Sequence, residues 1–143
     1  MTDEARVEPP LLRLLGLAAR SLTTQLAERL SEAGFGDQRL AHNAVFANVP
    51  PEGIRLTDLA ERAGMTKQAM AELVDDLERL GYLRRRPDPS DGRARLIEFN
   101  ERGWAAVRAA LAAFEDMDAE IESRIGVERL HQLRRTLEMI ADC

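Results

Sequence analysis

The chain has 143 residues and a formal net charge of −5, with 45% apolar and only 4% aromatic side chains. That length and apolar content suit one compact domain with a sizeable core and exclude an intrinsically disordered chain. The single cysteine, Cys143, excludes an intrachain disulfide. No apolar run approaches the roughly 20 residues that a membrane span needs, and the acidic N-terminus is unlike a secretory signal. We therefore expect a cytoplasmic protein.

The first predicted element is a long helix over 10–33, which Pro9 and Pro10 can begin because an N–H in the first turn needs no partner. Its first turns are apolar on nearly all sides, and its leucines are Leu11, Leu12, Leu14, Leu15, Leu17, Leu22, Leu26 and Leu30. A helix of that kind needs burial on more than one side. A second copy of the chain would provide that burial, and the alternative is an intramolecular bundle.

A second, shorter helix is predicted over 37–48, after Gly34 and Gly36 have broken the first one. Asp37 is a suitable N-cap for it. Its expected inward side chains are Leu40, Ala44 and Val45. A turn rich in proline and glycine follows at 50–53.

Two helices come next, one over 58–63 with Thr57 as its N-cap and one over 66–80 with Thr66 as its N-cap. Gly64 lies in the three-residue turn between them. The second helix has an apolar stripe at spacings of three and four, formed by Met70, Leu73, Val74, Leu77 and Leu80. Two helices joined by such a turn are typical of a helix-turn-helix, whose second helix enters the DNA major groove.

A hairpin is predicted directly after this helix pair. Its first strand covers 82–86, a turn rich in proline and aspartate covers 87–92, and the return strand covers 94–99. A basic hairpin that follows a helix-turn-helix is the plan of a winged helix.

Two further helices complete the predicted fold. Asn100 is a good N-cap for a helix over 101–125, which at roughly 37 Å is too long for one small domain to cover. A last helix follows over 127–141. The predicted fold class is mainly α, a winged helix-turn-helix with long flanking helices that form a dimerisation region. The predicted domains are an N-terminal dimerisation helix at 1–36, a DNA-binding domain at 37–100 and C-terminal dimerisation helices at 101–143.

The outward side chains near the start of the helix over 66–80 form what we call the reading face. Its members are Thr66, Lys67, Gln68, Ala69, Ala71 and Glu72. Lys67 can reach a phosphate or a guanine edge, Gln68 can make two hydrogen bonds to adenine, and an alanine can touch a thymine methyl group. Thr66 can contact a phosphate in addition to capping. The alternative interpretation is an ordinary solvated helix face.

The hairpin concentrates positive charge in an acidic chain. Residues 62–95 hold 8 basic and 6 acidic side chains, whereas the segments on either side are net negative. The arginines of the hairpin are Arg84, Arg85, Arg86, Arg93 and Arg95. Arg93 follows the turn directly, where an arginine can enter a narrow minor groove, and Asp91 could hold its guanidinium. The alternative is a solvated basic turn that protects a sheet edge.

These motifs resemble the DNA-binding core of the MarR family of bacterial transcription regulators. The resembling core covers residues 55–103 and is carried by LTDLAERAGMT, LVDDLERLGYL and DPSDGRARLIEFNERG. The flanking long helices fit the dimerisation region of that family, so the resemblance extends over almost the whole chain. It implies a homodimer on double-stranded DNA, with Thr66 to Glu72 in a major groove and Arg93 in the adjacent minor groove. Two-fold symmetry then implies a pseudo-palindromic operator with half-sites about 10 bp apart.

Glu72 departs from the family pattern, because many relatives have a basic residue there. A carboxylate facing phosphates would repel them, so Glu72 either accepts a hydrogen bond from cytosine or pairs with a nearby arginine. Glu72, Asp75 and Asp76 also support a different hypothesis, a winged-helix module for protein interaction that no longer binds DNA.

The resemblance further implies an effector pocket between the dimer region and the DNA-binding domain, for a small aromatic or phenolic ligand. The candidate side chains are Phe35, His42, Phe46 and Trp104. Release of a repressor from its operator is the effect expected of such a ligand. Cys143 is expected to be an inert thiol rather than a redox sensor, since no basic neighbour favours its thiolate.

Catalysis and metal binding have little support in the sequence. His42 and His131 are far apart, and the only cysteine is terminal, so neither a metal-ligand cluster nor a catalytic triad is indicated. No glycine-rich phosphate-binding loop is present. We expect no enzyme activity, no metal and no cofactor.

Overall fold

A computed structural model describes residues 8–142. Cys143, predicted to be an inert thiol, lies outside the described residues. The elements in chain order are α1 (Leu11–Glu32), a 3-10 turn (Leu40–His42), α2 (Asn43–Phe46), α3 (Leu56–Arg62), α4 (Lys67–Arg79), β1 (Leu83–Asp88), β2 (Asp91–Phe99), α5 (Glu101–Ile125) and α6 (Val127–Ala141). The predicted fold class is confirmed as mainly α with a winged helix, whereas the proposed domain division stays a prediction. None of the described helices has the length and apolarity to cross a membrane.

The helix α1 ends in the manner its glycines predict. Gly34 has a φ of 94°, and the Phe35 N–H donates to the Leu30 carbonyl at 2.8 Å, which satisfies a carbonyl at the helix end. Leu30 is the buried residue of α1, while Leu12 remains 82% exposed. The chain itself therefore covers only one part of this apolar helix, which packs along α5.

The segment after α1 differs from its prediction. The predicted helix over 37–48 is a 3-10 turn followed by the four-residue α2. Asp37 does not cap it, because its carboxylate accepts from the Tyr82 hydroxyl and from Arg102. Leu40, predicted to point inward, is 67% exposed, whereas Val45 is fully buried as predicted. The Asp37 carboxylate is thus bound by residues distant in sequence and does not cap the neighbouring helix.

The helix pair α3–α4 forms as predicted, with one different boundary. Thr57 is not an N-cap, because α3 already begins at Leu56 with Arg55 in the capping position. The preceding residue Ile54 bridges β2 through Ile97, which fixes the chain direction just before the helix. The inward stripe of α4 is confirmed, since Met70, Leu73, Val74 and Leu77 are buried.

The wing is a two-stranded antiparallel sheet in which Leu83 lies opposite Phe99. Its strands are longer than predicted, so only residues 89–90 connect them rather than 87–92. The register is irregular at Pro87 and Asp88. The two paired strands therefore continue almost to the tip of the hairpin.

The start of α5 is fastened to the turn between α4 and β1. Asn100 caps α5 by accepting from the Gly103 N–H at 2.9 Å, and its amide donates to the Gly81 carbonyl at 2.7 Å. The Asn100 N–H donates to the Tyr82 carbonyl at 3.1 Å. Gly103 is buried here, and a Cβ on it would lie 2.9 Å from the Phe99 ring and closer still to the Tyr82 carbonyl oxygen.

We expect Gly103→Ala to lower the free energy of unfolding by about 3 kcal/mol, the upper end for overpacking, because backbone blocks the new methyl group. Urea denaturation measures this change. Gly92→Ala is the matched control, since a Cβ there meets no atom within 4 Å, and we expect a change below about 0.5 kcal/mol. Equal stability of the two variants would contradict the close packing at Gly103.

Candidate nucleic-acid interface

The reading face lies at the N-terminal end of α4, as predicted. The Thr66 hydroxyl accepts from the Ala69 N–H at 3.1 Å, which confirms its role as N-cap. Lys67, Gln68 and Glu72 are exposed, while Ala69 and Ala71 are half-buried beside the inward stripe. The charged and amide groups are therefore accessible to a groove, and the alanine methyl groups are only partly so.

The remaining carboxylates of α4 form ion pairs with arginines of the same chain. Asp75 and Glu78 both bind the Arg85 guanidinium of the wing. Asp76 binds Arg39 at 2.7 Å and also Arg79. These pairs join α4 to the wing on one side and to the 3-10 turn on the other.

His42 connects the 3-10 turn to α4 from within the core. It is fully buried, its Nδ1 accepts from the Arg39 N–H at 2.9 Å, and its Nε2 lies 2.7 Å from Asp76. Because Nδ1 is an acceptor, Nε2 carries the proton and donates it to the carboxylate. Hydrogen bonds from Arg39 and then His42 lower the pKa of Asp76 to about 2. Sequence reasoning did not anticipate this link.

The wing arginines divide into two groups. Arg84 and Arg86 both bind the Glu98 carboxylate, at 2.7 and 2.6 Å, and Arg85 turns back to α4. Glu98 is only 8% exposed, and its pKa is lowered mainly by the hydrogen bond from Arg86. These three arginines, which we expected to face DNA, thus each have a carboxylate partner in the same chain, while their side chains keep 66%, 36% and 35% exposure for Arg84, Arg85 and Arg86.

Arg93 and Arg95 form the second group. Both side chains are exposed, and neither has an ion-pair partner among residues 8–142. Asp91 does not hold the Arg93 guanidinium as expected, since its carboxylate accepts from the Arg93 main-chain N–H at 3.1 Å instead. That bond orders the backbone of the tip and leaves the guanidinium available for a phosphate or a groove.

Asp88 organises the wing tip, which we define as residues 88–93. Its carboxylate accepts from the Ser90 N–H at 2.9 Å, from the Ser90 hydroxyl at 2.8 Å and from Arg55 at 2.7 Å. The same bonds, the one from the Ser90 N–H first, lower the pKa of Asp88 to about 2. Asp88 was predicted only as a turn residue, although an aspartate two residues before a serine is a known turn pattern. Arg55 carried no signal in the sequence.

A cavity of about 320 Å³ opens between α1, α2 and α5. Its lining residues are Leu26, Leu30, Gln38, Asn43, Phe46, Ala47, Ala106, Val107, Ala110, Leu111 and Phe114. None of them is charged. The Gln38 Nε2 atom is buried without a hydrogen bond of acceptable geometry, although the amide lies near the Tyr82 hydroxyl.

The four predicted effector residues do not converge on this cavity. Phe46 lines it, and Phe35 lines a neighbouring cavity of about 100 Å³. His42 lines neither, because both its ring nitrogens are already bonded in the core. Trp104 packs edge-on against Phe99 with ring centroids 5.2 Å apart and lines neither cavity. His42 and Trp104 are therefore packing residues.

An apolar surface runs along the long helices. Its exposed members on α1 are Leu11, Leu12, Leu14 and Leu17, and on α6 they are Val127, Leu133, Leu137 and Ile140. Such an extended apolar area on one protomer is typical of a subunit interface. Within the described part of the chain, no three histidine, cysteine, aspartate or glutamate side chains are grouped as metal ligands.

We expect Asp76→Asn to reduce stability in a pH-dependent way. Because folding lowers the pKa of Asp76 to about 2 from an ordinary value of 3.8, the stability it contributes is complete above about pH 5 and is lost as the pH falls towards 2. The difference in free energy of unfolding between the wild type and the variant should shrink from about pH 6 to about pH 3. Chemical denaturation at both pH values measures it, and a constant difference would exclude the ion-pair network as its source.

Comparisons with known proteins agree with this geometry. A family model described as MarR family matches residues 44–94. The transcriptional regulator HosA of Escherichia coli O111:H- is 33% identical over 76 residues, which are 53% of this chain and 56% of HosA, little more than half of each. An HTH-type transcriptional repressor of Mycobacterium tuberculosis H37Rv is 26% identical over 133 residues, covering 93% of this chain and 94% of the repressor.

Solved structures share the fold. The Staphylococcus aureus MepR–DNA complex superposes with a TM-score of 0.73 at 20% identity, covering 95% of this chain and 100% of MepR. The YusO protein of Bacillus subtilis has a TM-score of 0.69 at 18% identity and 93% coverage of both chains. At these identities the likeness establishes the arrangement of the helices and the wing.

Proposed function

Because the chain belongs to the MarR family of winged helix-turn-helix transcriptional regulators, we propose that it is a dimeric, sequence-specific DNA-binding repressor. In this proposal, α4 enters a major groove and the wing tip enters the adjacent minor groove. The observation that carries it is the contrast among the wing arginines. Arg84, Arg85 and Arg86 each bind a carboxylate of the same chain, while the exposed Arg93 and Arg95 have no ion-pair partner among residues 8–142.

The names of the relatives support a regulatory role. HosA is named a transcriptional regulator, the mycobacterial relative is named a repressor, and MepR has been solved with DNA. These names describe HosA, the mycobacterial repressor and MepR. For this chain they support the combination of DNA binding and repression, which the unpaired arginines and the accessible reading face make physically reasonable.

Dimerisation is supported by the apolar surface of α1 and α6. Leu12 at 82% exposure and Leu17 at 47% would each lose contact with water in a two-fold interface. A homodimer presents two α4 helices, so its operator would have half-sites about one helical turn, or ~10 bp, apart.

The alternative function, a protein-interaction module without DNA binding, loses part of its basis. It rested on three carboxylates of α4, and two of them, Asp75 and Asp76, are held by arginines of the same chain. Of those three, the Glu72 carboxylate is the one without an ion-pair partner among residues 8–142. We therefore propose DNA as the partner.

The proposal predicts different roles for two wing arginines. We expect Arg93→Ala to weaken binding to every DNA sequence by about tenfold and to reduce the salt dependence of binding by about one counterion per wing. Arg84→Ala is the matched control, since its guanidinium is bound to Glu98 and Arg86 remains to pair that carboxylate. Fluorescence anisotropy with the native upstream intergenic DNA, at several salt concentrations, measures both.

Two outcomes would count against the proposal. Wild-type protein that binds the upstream DNA no more tightly than random duplex would overturn sequence-specific binding. An Arg93→Ala variant that binds as well as wild type at moderate salt would remove the wing tip from the interface. A stoichiometry of two chains per duplex is expected from the dimer.

We also propose that a small aromatic ligand binds in the 320 Å³ cavity and releases the protein from DNA. Phe46 and Phe114 offer apolar ring surfaces, and Gln38 and Asn43 offer hydrogen bonds. Since no lining residue is charged, burying a carboxylate there is costly. The cavity therefore favours a neutral ligand over an aromatic acid.

A matched ligand pair tests this preference. We expect salicylamide to raise the melting temperature and to weaken DNA binding more than salicylate does, because only salicylate must bury a charge. Ala110→Phe, which fills the cavity, should abolish both effects. A stronger response to salicylate, or an undiminished response of Ala110→Phe, would exclude this cavity as a neutral-ligand site.

A further inference from the structure

Glu72 differs from every other carboxylate of α4. The helix has four, and Asp75, Asp76 and Glu78 are each bound by an arginine. Glu72 is exposed, and its carboxylate makes no hydrogen bond or ion pair with any described residue. Of the two roles that the sequence left open for it, pairing with a nearby arginine is therefore not realised.

The wing arginine that contacts α4 is paired with other carboxylates of that helix. The Arg85 guanidinium binds Asp75 and Glu78, which lie three and six residues after Glu72. These contacts of Arg85 lie within a single chain, so they are present before the protein meets DNA. The Glu72 carboxylate is consequently without an internal partner in the described part of the chain.

The position of Glu72 on the reading face is well defined. It lies one helical turn after Gln68, so the two side chains share a face and are separated by roughly 6 Å along the axis. The Thr66 cap fixes the start of α4, and the buried Leu73 and Val74 fix its rotation about its own axis. In a major groove, Gln68 and Glu72 would thus meet base pairs one or two steps apart.

A free carboxylate at this position discriminates between bases. It can only accept hydrogen bonds, so it attracts the N4 amino group of cytosine and is repelled by the O6 and N7 acceptors of guanine. It is also repelled by the phosphates of every sequence. An accepted hydrogen bond offsets that repulsion only where a cytosine lies opposite.

We infer that Glu72 is a specificity-determining residue that requires a C·G pair at one defined position of each half-site. The inference rests on the proposed function, because it presumes that α4 enters a major groove. Glu72 lowers affinity for DNA in general and restores it at sites with the correctly placed cytosine. Its role is to widen the difference between operator and other DNA.

Selection of bound sequences from random duplex DNA by the full chain tests the inference. Wild-type protein should select a motif with an invariant cytosine in each half-site, and Glu72→Gln and Glu72→Ala should lose that requirement while keeping the rest of the motif. On the selected operator, replacing this cytosine by N4-methylcytosine should weaken wild-type binding by on the order of tenfold, because the methyl group blocks the groove-facing donor. The Glu72→Ala variant should not respond to the methyl group.

Glu61→Gln is the matched control, since it removes an exposed charge without an ion pair from α3. It should alter general affinity and leave the motif unchanged. An unchanged motif in both Glu72 variants, or a uniform gain of affinity for all sequences, would overturn the inference and leave the proposed function intact. Failure of the wild type to select any motif would overturn both.

Discussion

The arrangement of α4, the wing and α5 depends on Tyr82, which is fully buried where the three elements meet. Its N–H donates to the Leu77 carbonyl at 2.9 Å and so closes the end of α4. Its carbonyl accepts from the Asn100 N–H at the start of α5, and its hydroxyl donates to Asp37. The next residue, Leu83, begins β1. One residue thereby fixes the distance between the reading face and the wing.

The packing around Tyr82 occupies part of the ring surface of its aromatic neighbours. The Phe35 and Phe46 rings lie 6.3 and 5.7 Å from the Tyr82 ring, and the Arg102 guanidinium covers it at 4.1 Å. Through these contacts the aromatic residues help to hold α4, the wing and α5 together. The cavity lies beside this cluster, with Phe46 as the residue common to both.

The arginines of the described residues fall into two groups, those with an ion-pair partner and those without one. Arginines that lie between elements bind carboxylates of neighbouring elements, as Arg39 and Arg55 do with Asp76 and Asp88. Those pairs hold α4 and the wing tip in place. Arg93 has no such partner in the described residues, so its charge remains available outside the protein. An acidic chain can in this way present a locally positive surface where α4 and the wing lie side by side.

The sequence determined the elements whose causes are local. The caps of α4 and α5 by Thr66 and Asn100 were predictable because a cap needs only the next three residues, and the inward stripe of α4 follows from helical periodicity. The predictions that Asp37 and Thr57 cap helices were wrong. The partners of Asp37 are Tyr82 and Arg102, distant in sequence.

Only the tertiary structure decided which charged residues remain free. The hairpin arginines look equivalent in the sequence, yet the three on β1 pair with Glu98 or with carboxylates of α4, whereas Arg93 and Arg95 have no ion-pair partner among the described residues. The same holds for Glu72 among the carboxylates of α4. The physical reason is that an ion pair forms only when packing brings two groups within about 4 Å, and that distance depends on how the elements assemble.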